Sequence, residues 1–223
     1  MSFIVAIDGP AGTGKGTITK ILSKEMGLVN IDTGATYRCV ALYAINNNIK
    51  LEEKQKIIDS LKNISIDMKN ENGEQIVFLN GENVTKQIRT KEVTQIVSQI
   101  SSIKEVRFAM VDIQRKLAQG KDVIMEGRDI TTYVFPNANV KIYLDADEKE
   151  RAKRRYIEMQ ENGIEMTYDE VLKNIQIRDK NDKEKEIGAL KIAEDAIYVD
   201  TTNLCIEEVK EKIKQIIKEK RGK

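Results

Sequence analysis

Phe3-Ile4-Val5-Ala6-Ile7-Asp8-Gly9-Pro10-Ala11-Gly12-Thr13-Gly14-Lys15-Gly16-Thr17 is the stretch that decides the fold of this chain. An apolar run with the length of a buried strand enters a glycine-rich turn. Apolar residues then recur at helical spacing, at Ile18, Ile21, Leu22 and Met26. Strand, glycine turn and helix in that order are the setting of a phosphate-binding loop. The glycines let backbone N–H groups turn inward on a polyphosphate, and the helix presents its positive end to the same anion. Lys15 supplies a point charge for the outer phosphates. Gly9, Pro10, Ala11, Gly12, Thr13, Gly14, Lys15, Gly16 and Thr17 are therefore expected to hold a nucleoside triphosphate. The general pattern puts a hydroxyl directly after the lysine, whereas Gly16 stands there and Thr17 follows one place later. Magnesium is accordingly expected to be held mainly through phosphates and water, with no dedicated protein metal site.

Outward from this loop, apolar strands alternate with helical segments. Strands are predicted at 3–8, 28–31, 123–125, 140–144 and 196–199. Helices are predicted at about 14–26, 34–47, 51–62, 90–99 and 103–119, and the final helix buries Ile206, Val209, Ile213, Ile216 and Ile217. This is the pattern of an α/β fold in three layers, a central parallel sheet with helices on both faces. Residues 63–90 change character. Ile64, Ile66 and Met68 alternate, Asn70-Glu71-Asn72-Gly73 makes a turn, Ile76–Leu79 follows, and Asn80-Gly81 reads as a second hairpin turn. They form a small antiparallel insertion packed beside the main sheet. Ligands of such sheets lie at the carboxyl ends of the strands, which directs attention to 9–17, 32–38, 126–132 and 145–148.

Composition narrows the chemistry. The chain has 223 residues, enough for a single sizeable core, and a net charge of +1 that gives no global field for non-specific nucleic-acid binding. It contains no histidine, which removes Ser-His-Asp triads, histidine bases and histidine-ligated metals. Phosphoryl transfer to a phosphate acceptor does not need them: the acceptor oxygen is already anionic, and positioning and charge neutralisation carry the reaction. The two cysteines, Cys39 and Cys205, lie among apolar residues and are expected to be core thiols. No uncharged apolar stretch reaches membrane-spanning length, and the first strand begins at Phe3, so a cytoplasmic protein is expected.

Asp32-Thr33-Gly34-Ala35-Thr36-Tyr37-Arg38 follows the second strand. Its Asp-Thr-Gly also opens aspartic protease loops, but no second copy exists and a phosphate loop lies just upstream. Thr33 is placed to cap the next helix, and Arg38 emerges about one turn into it, either where a second phosphate would sit or simply as a surface arginine. Glu126-Gly127-Arg128-Asp129 follows another strand; an Arg–Asp pair there either neutralises phosphate and accepts from an amino group or forms an internal salt bridge. Residues 147–182 carry many cations, among them Arg151, Lys153, Arg154 and Arg155. Most read as the solvated faces of a helical pair, although a lid bearing arginines suits closure over a migrating phosphoryl group.

The succession GPAGTGKGT, DTGATYR, IRTKEV, VSQI with a later VR, EGRDI, VFPNA and RDKND closely resembles the bacterial cytidylate kinases, nearly end to end and in order. The resemblance implies a single P-loop kinase domain over 1–223, with a core of 1–62, 90–145 and 196–223. It also implies an acceptor-binding insertion at about 63–90 and a lid at about 147–190. It implies ATP as phosphoryl donor and CMP, with dCMP, as acceptor, in a monomer. Lys15, Arg128 and Arg178 take catalytic roles. Thr33, Arg38, Arg128 and Arg178 match acceptor-side positions, with Arg38 on the CMP phosphate. Ser98, Arg107 and Asp129 match residues that read cytosine, Asp182 matches a ribose contact, and Lys185 replaces a usual arginine. Thr131 replaces a usual glycine, Ala189 a proline and Thr36 a methionine. Kinases of UMP or of a non-nucleotide alcohol remain alternatives, as does a nucleotide-dependent switch, against which stands the lack of an Asn-Lys-x-Asp motif.

Overall fold

A computed structural model describes residues 2–71, 74–161 and 163–222. The opening apolar run forms β1 (Ile4–Asp8), in which Val5, Ala6 and Ile7 are wholly buried. A strand covered on both faces needs apolar residues at consecutive positions. It leads through the glycine turn into α1 (Lys15–Met26), then β2 (Val29–Asp32), α2 (Thr33–Asn46) and α3 (Lys54–Ser60). The last is shorter than the periodicity predicts, because Leu51-Glu52 makes a turn and Leu61–Asn63 tightens into a 3-10 turn.

After the insertion come α4 (Lys91–Ile100), α5 (Lys104–Ala118), β6 (Val123–Gly127) and β7 (Val140–Asp145). The chain ends with α6 (Glu148–Glu161), α7 (Tyr168–Lys183), β8 (Ile197–Asp200) and α8 (Ile206–Arg221). The main sheet runs β2-β6-β1-β7-β8, with every pairing parallel. Period-two alternation divides its side chains: Val5, Ile7 and Ile142 pack with Ile18, Leu22, Val209 and Ile213 of α1 and α8. Ala6, Ile31 and Met125 face the helices on the other side, with Val40, Val97 and Met110. The carboxyl ends of β1, β2, β6 and β7 thus meet along one rim.

The insertion contains β3 (Ile66–Glu71), β4 (Glu74–Leu79) and β5 (Glu82–Asn83), paired antiparallel. Asn80 and Gly81 join the last two with φ of 51° and 85°, the left-handed geometry that a two-residue hairpin demands. Asn72 and Gly73 of the other expected turn lie outside the described residues. Ile66, Met68, Val77 and Leu79 join the main core, and Gln75 Nε2 donates to the Asn30 carbonyl of β2 at 2.9 Å. Helices α6 and α7 hold a small core of their own around Ala152, Val171 and Ile175.

Cys39 is buried as expected, but Cys205 is exposed. It stands at the surface start of α8, where its N–H donates to Glu208 at 2.8 Å, so backbone capping and not burial accounts for its place. Among the described residues, no helix is long and apolar enough to cross a membrane.

Candidate active site

The phosphate loop is fixed by its surroundings. A Cβ on Gly9, whose φ is +150°, would run into the Leu144 carbonyl of β7, so only glycine allows the loop to leave the sheet there. Lys15 is buried; its ammonium donates to the Pro10 carbonyl at 2.6 Å and to Thr13 Oγ1 at 3.2 Å. Burial, together with the Arg128 and Arg178 cations, pulls the Lys15 pKa well below its usual range. The cations around Lys15 therefore favour an incoming anion.

Gly16 explains the missing hydroxyl of the motif. A Cβ at this position would lie 2.9 Å from Oε1 of Glu126, so the carboxylate at the end of β6 fills the space a side chain would need. Burial and the neighbouring Asp32 push the Glu126 pKa upward. Thr17, next in the loop, is exposed.

Asp8, the last residue of β1, is fully buried. It accepts from the N–H of Ile130 at 2.9 Å, the N–H of Thr131 at 2.7 Å and the Thr131 hydroxyl at 2.6 Å. These bonds hold a π-helical turn at Ile130–Val134 and so place Arg128 and Asp129 beside the phosphate loop. Burial raises the Asp8 pKa to about 6 despite the three donors. The Thr131 hydroxyl thus adds a donor to this anchor.

At the end of β2, Thr33 is the first residue of α2 and not its cap. Asp32 holds the cap position, and the Thr33 hydroxyl donates to the Glu126 carbonyl at 2.7 Å. The helix start offers only N–H donors, so the hydroxyl proton finds its acceptor on the adjacent strand β6, tying the start of α2 to β6 at the rim. Arg38 donates to Thr94 Oγ1 at 2.9 Å and to the Ile88 carbonyl at 3.2 Å. It has no ion pair among the described residues, and burial lowers its pKa.

Helix α7 reaches this rim through Asp182. Arg128 Nε donates to Asp182 Oδ2 at 2.8 Å, and Lys185 donates to Asp182 Oδ1 at 2.9 Å and to Ser101 Oγ at 3.1 Å. Burial alone would raise the Asp182 pKa, but Arg128, Lys185 and Arg178 outweigh it and hold the carboxyl far below its usual range. Arg178, one helical turn before Asp182, forms no ion pair among the described residues. Burial and Arg128 bring it down to about 10. Arg107 and Asp129 form a buried ion pair, and the Arg107 guanidinium stands 5.6 Å over the Tyr37 ring.

Lys15, Arg38, Arg128, Arg178 and Asp182 thus gather at the strand ends, with Arg107, Asp129 and Lys185 adjoining. Ser98 lines, with Lys185, Ser102 and Ile103, a groove of about 810 Å³.

Arg151 departs from the expected solvated helix face. It is 5% exposed, pairs with Asp179 at 2.7 Å, and donates to the Ala11 carbonyl of the phosphate loop at 3.1 Å. Asp8, Glu126 and Arg151 were not singled out by sequence. A charge ending an apolar strand is the signal that marks the first two.

The cytidylate kinase family model matches residues 5–219. A cytidylate kinase of Caldicellulosiruptor saccharolyticus is 50% identical, covering 95% of this chain and 94% of its own. One from Lactobacillus johnsonii is 47% identical, over 97% of this chain and 94% of its own. One from Fusobacterium nucleatum is 49% identical, over 93% and 94%. An uncharacterized protein from Eubacterium ventriosum of known crystal structure shares the fold, with a TM-score of 0.52 at 12% identity over 98% of this chain and 99% of its own. With matching sequence over almost its whole length and a phosphate loop facing a rim of arginines, the chain belongs to the cytidylate kinase family.

Proposed function

We propose that this protein transfers the γ-phosphoryl group of ATP to CMP, and to dCMP, giving the nucleoside diphosphate and ADP. The observation that carries the reading is the gathering of Lys15, Arg38, Arg128 and Arg178 on one rim, next to the buried Arg107–Asp129 pair. Residues Gly9 to Thr17 bind the ATP phosphates, with Arg151 bracing the loop from behind. Arg38, Arg128 and Arg178 neutralise the acceptor phosphate. One of its oxygens bonds to the γ-phosphorus as the bond to the β–γ bridging oxygen breaks, and ADP leaves. The attacking oxygen carries no proton to remove, so no general base is needed.

Asp129 accepts from the cytosine amino group, and Arg107 donates to its ring nitrogen and carbonyl. Uracil presents a carbonyl where cytosine has the amino group, so a carboxylate there repels it. Asp182 holds the ribose.

Magnesium fits this donor set as an ion that arrives with ATP. Among the described residues no group of three or more acidic or cysteine side chains could hold a metal by itself. The Glu126 carboxylate beside Gly16 and the exposed Thr17 hydroxyl would hold its water ligands. When bound, the ion neutralises charge on the ATP phosphates.

Asp129→Asn tests the reading, because the amide keeps the shape and adds donors. We expect kcat/KM for CMP to fall about a hundredfold relative to that for UMP, with KM for ATP unchanged. An unaltered CMP-to-UMP ratio would remove Asp129 from base recognition.

A further inference from the structure

We infer that Gly188, in the segment that follows α7, is a specificity-determining position: its bare backbone lies against the Arg107–Asp129 pair and couples the position of α7 to the base-reading groups. The inference rests on the proposed role of that pair in reading cytosine.

The Arg107 guanidinium is enclosed by parts far apart in sequence. The Tyr37 ring of α2 covers it at 5.6 Å, the Ser101 carbonyl accepts from Nη1 at 3.4 Å, and Asp129 pairs with Nη2. Gly188 lies against the same pair. A Cβ on Gly188 would collide with Nη2 and Cζ of Arg107 and with Oδ2 of Asp129, the very atoms of the ion pair. Nε of Arg107 is buried without a hydrogen-bond partner, so the guanidinium has donor capacity that the protein leaves unused.

The segment cannot simply swing away. Lys185 at its start is bonded to Asp182 and Ser101, and at its end the Leu190 N–H donates to the Asp182 carbonyl at 2.7 Å while its side chain is buried. Both attachments converge on Asp182, which is also the partner of Arg128. Gly188 is therefore carried by the same residue that docks the lid. Its φ of +65° is a left-handed conformation that glycine adopts freely. Any larger residue must push Arg107 and Asp129 apart or lift the segment off them, and either change spoils the alignment with the base while leaving the phosphate loop untouched.

The test compares kcat/KM for CMP and for UMP, and KM for ATP, in four single variants of the full chain. Gly188→Ala introduces the collision together with left-handed strain. Gly120→Ala, at φ +72° with nothing within 4 Å of its Cβ, introduces the strain alone. Leu190→Ala loosens the segment without a collision, so the idea remains testable should Gly188→Ala fail to fold. Asp129→Ala removes the base contact.

We expect the CMP-to-UMP ratio to fall at least about tenfold in Gly188→Ala and to fall also in Leu190→Ala. KM for ATP should hold in both, and Gly120→Ala should keep the wild-type ratio. A wild-type ratio in Gly188→Ala and Leu190→Ala, with Asp129→Ala impaired, overturns the role of Gly188 and leaves the base site standing. A wild-type ratio in Asp129→Ala overturns the base site, and the role of Gly188 with it.

Discussion

Replacing Arg128 by alanine removes two things at once: the cation proposed to neutralise the acceptor phosphate and the partner of Asp182. The first loss is read in turnover. A charged donor to a developing phosphoryl charge is worth about 2–4 kcal/mol, and 1.36 kcal/mol is tenfold, so kcat should fall about 30- to 900-fold. The second loss is read in stability. Asp182 is buried, with its side chain 5% exposed, and loses a 2.8 Å bond from Arg128 Nε, but Lys185 still donates to it at 2.9 Å. The carboxylate is thus half-orphaned, and the pair should show a coupling of about 0.5–3 kcal/mol in a double-mutant cycle. At about 2–4 °C per kcal/mol for a chain of this size, Arg128→Ala should lower Tm by several degrees. Alanine at both positions should lower it by less than the sum of the singles. Thermal melts of the wild type, Arg128→Ala, Asp182→Ala and the double variant, with ADP release measured on each, give both readings. Additive melting shifts would show that Arg128 and Asp182 do not lock the lid, and near-wild-type turnover in Arg128→Ala would refute its place at the phosphate.

Three further outcomes follow from the same geometry. Arg151→Met deletes the brace on the Ala11 carbonyl, a charge-assisted bond worth about 1.5–3 kcal/mol, so KM for ATP should rise about tenfold or more while KM for CMP holds. Asp8 has a pKa raised by burial to about 6 from 3.8, so the folded state keeps its proton where the unfolded state has released it. Its contribution should therefore cost the fold about 3 kcal/mol as pH rises from about 4 through 6, and urea unfolding of Asp8→Asn should lack that part of the slope. Gly16→Ser brings a Cβ to 2.9 Å from the Glu126 carboxylate, and KM for ATP should rise about tenfold from overpacking, with relief when Glu126 is also alanine.

The sheet was legible because its strands are buried on both faces: Val5-Ala6-Ile7 and Val123-Ile124-Met125 must be apolar without interruption, and such runs stand out. Asn80-Gly81 was legible for a local reason, since two successive left-handed residues suit few other pairs. The π-helical turn at Ile130–Val134 was not, because its cause is a carboxylate on another strand more than a hundred residues away. Thr33 was misread as a cap for the same reason: its preferred acceptor, the Glu126 carbonyl, is adjacent in space only.

Arg151 shows the limit most clearly. Among the neighbouring cations of α6, spacing alone does not distinguish the one that turns inward to the phosphate loop from those that face solvent. The arginines that resemble family positions needed no such distinction, since the motifs around Arg38, Arg128 and Arg178 marked them individually.

The most direct measurement is ADP release from ATP and magnesium with CMP, dCMP, UMP, AMP or no acceptor, run in parallel on the wild-type protein. The site described here predicts rapid release with CMP and dCMP, little with UMP, and almost none without acceptor. Release that is indifferent to the base, or fastest with UMP, would contradict the assignment of Arg107 and Asp129 to cytosine.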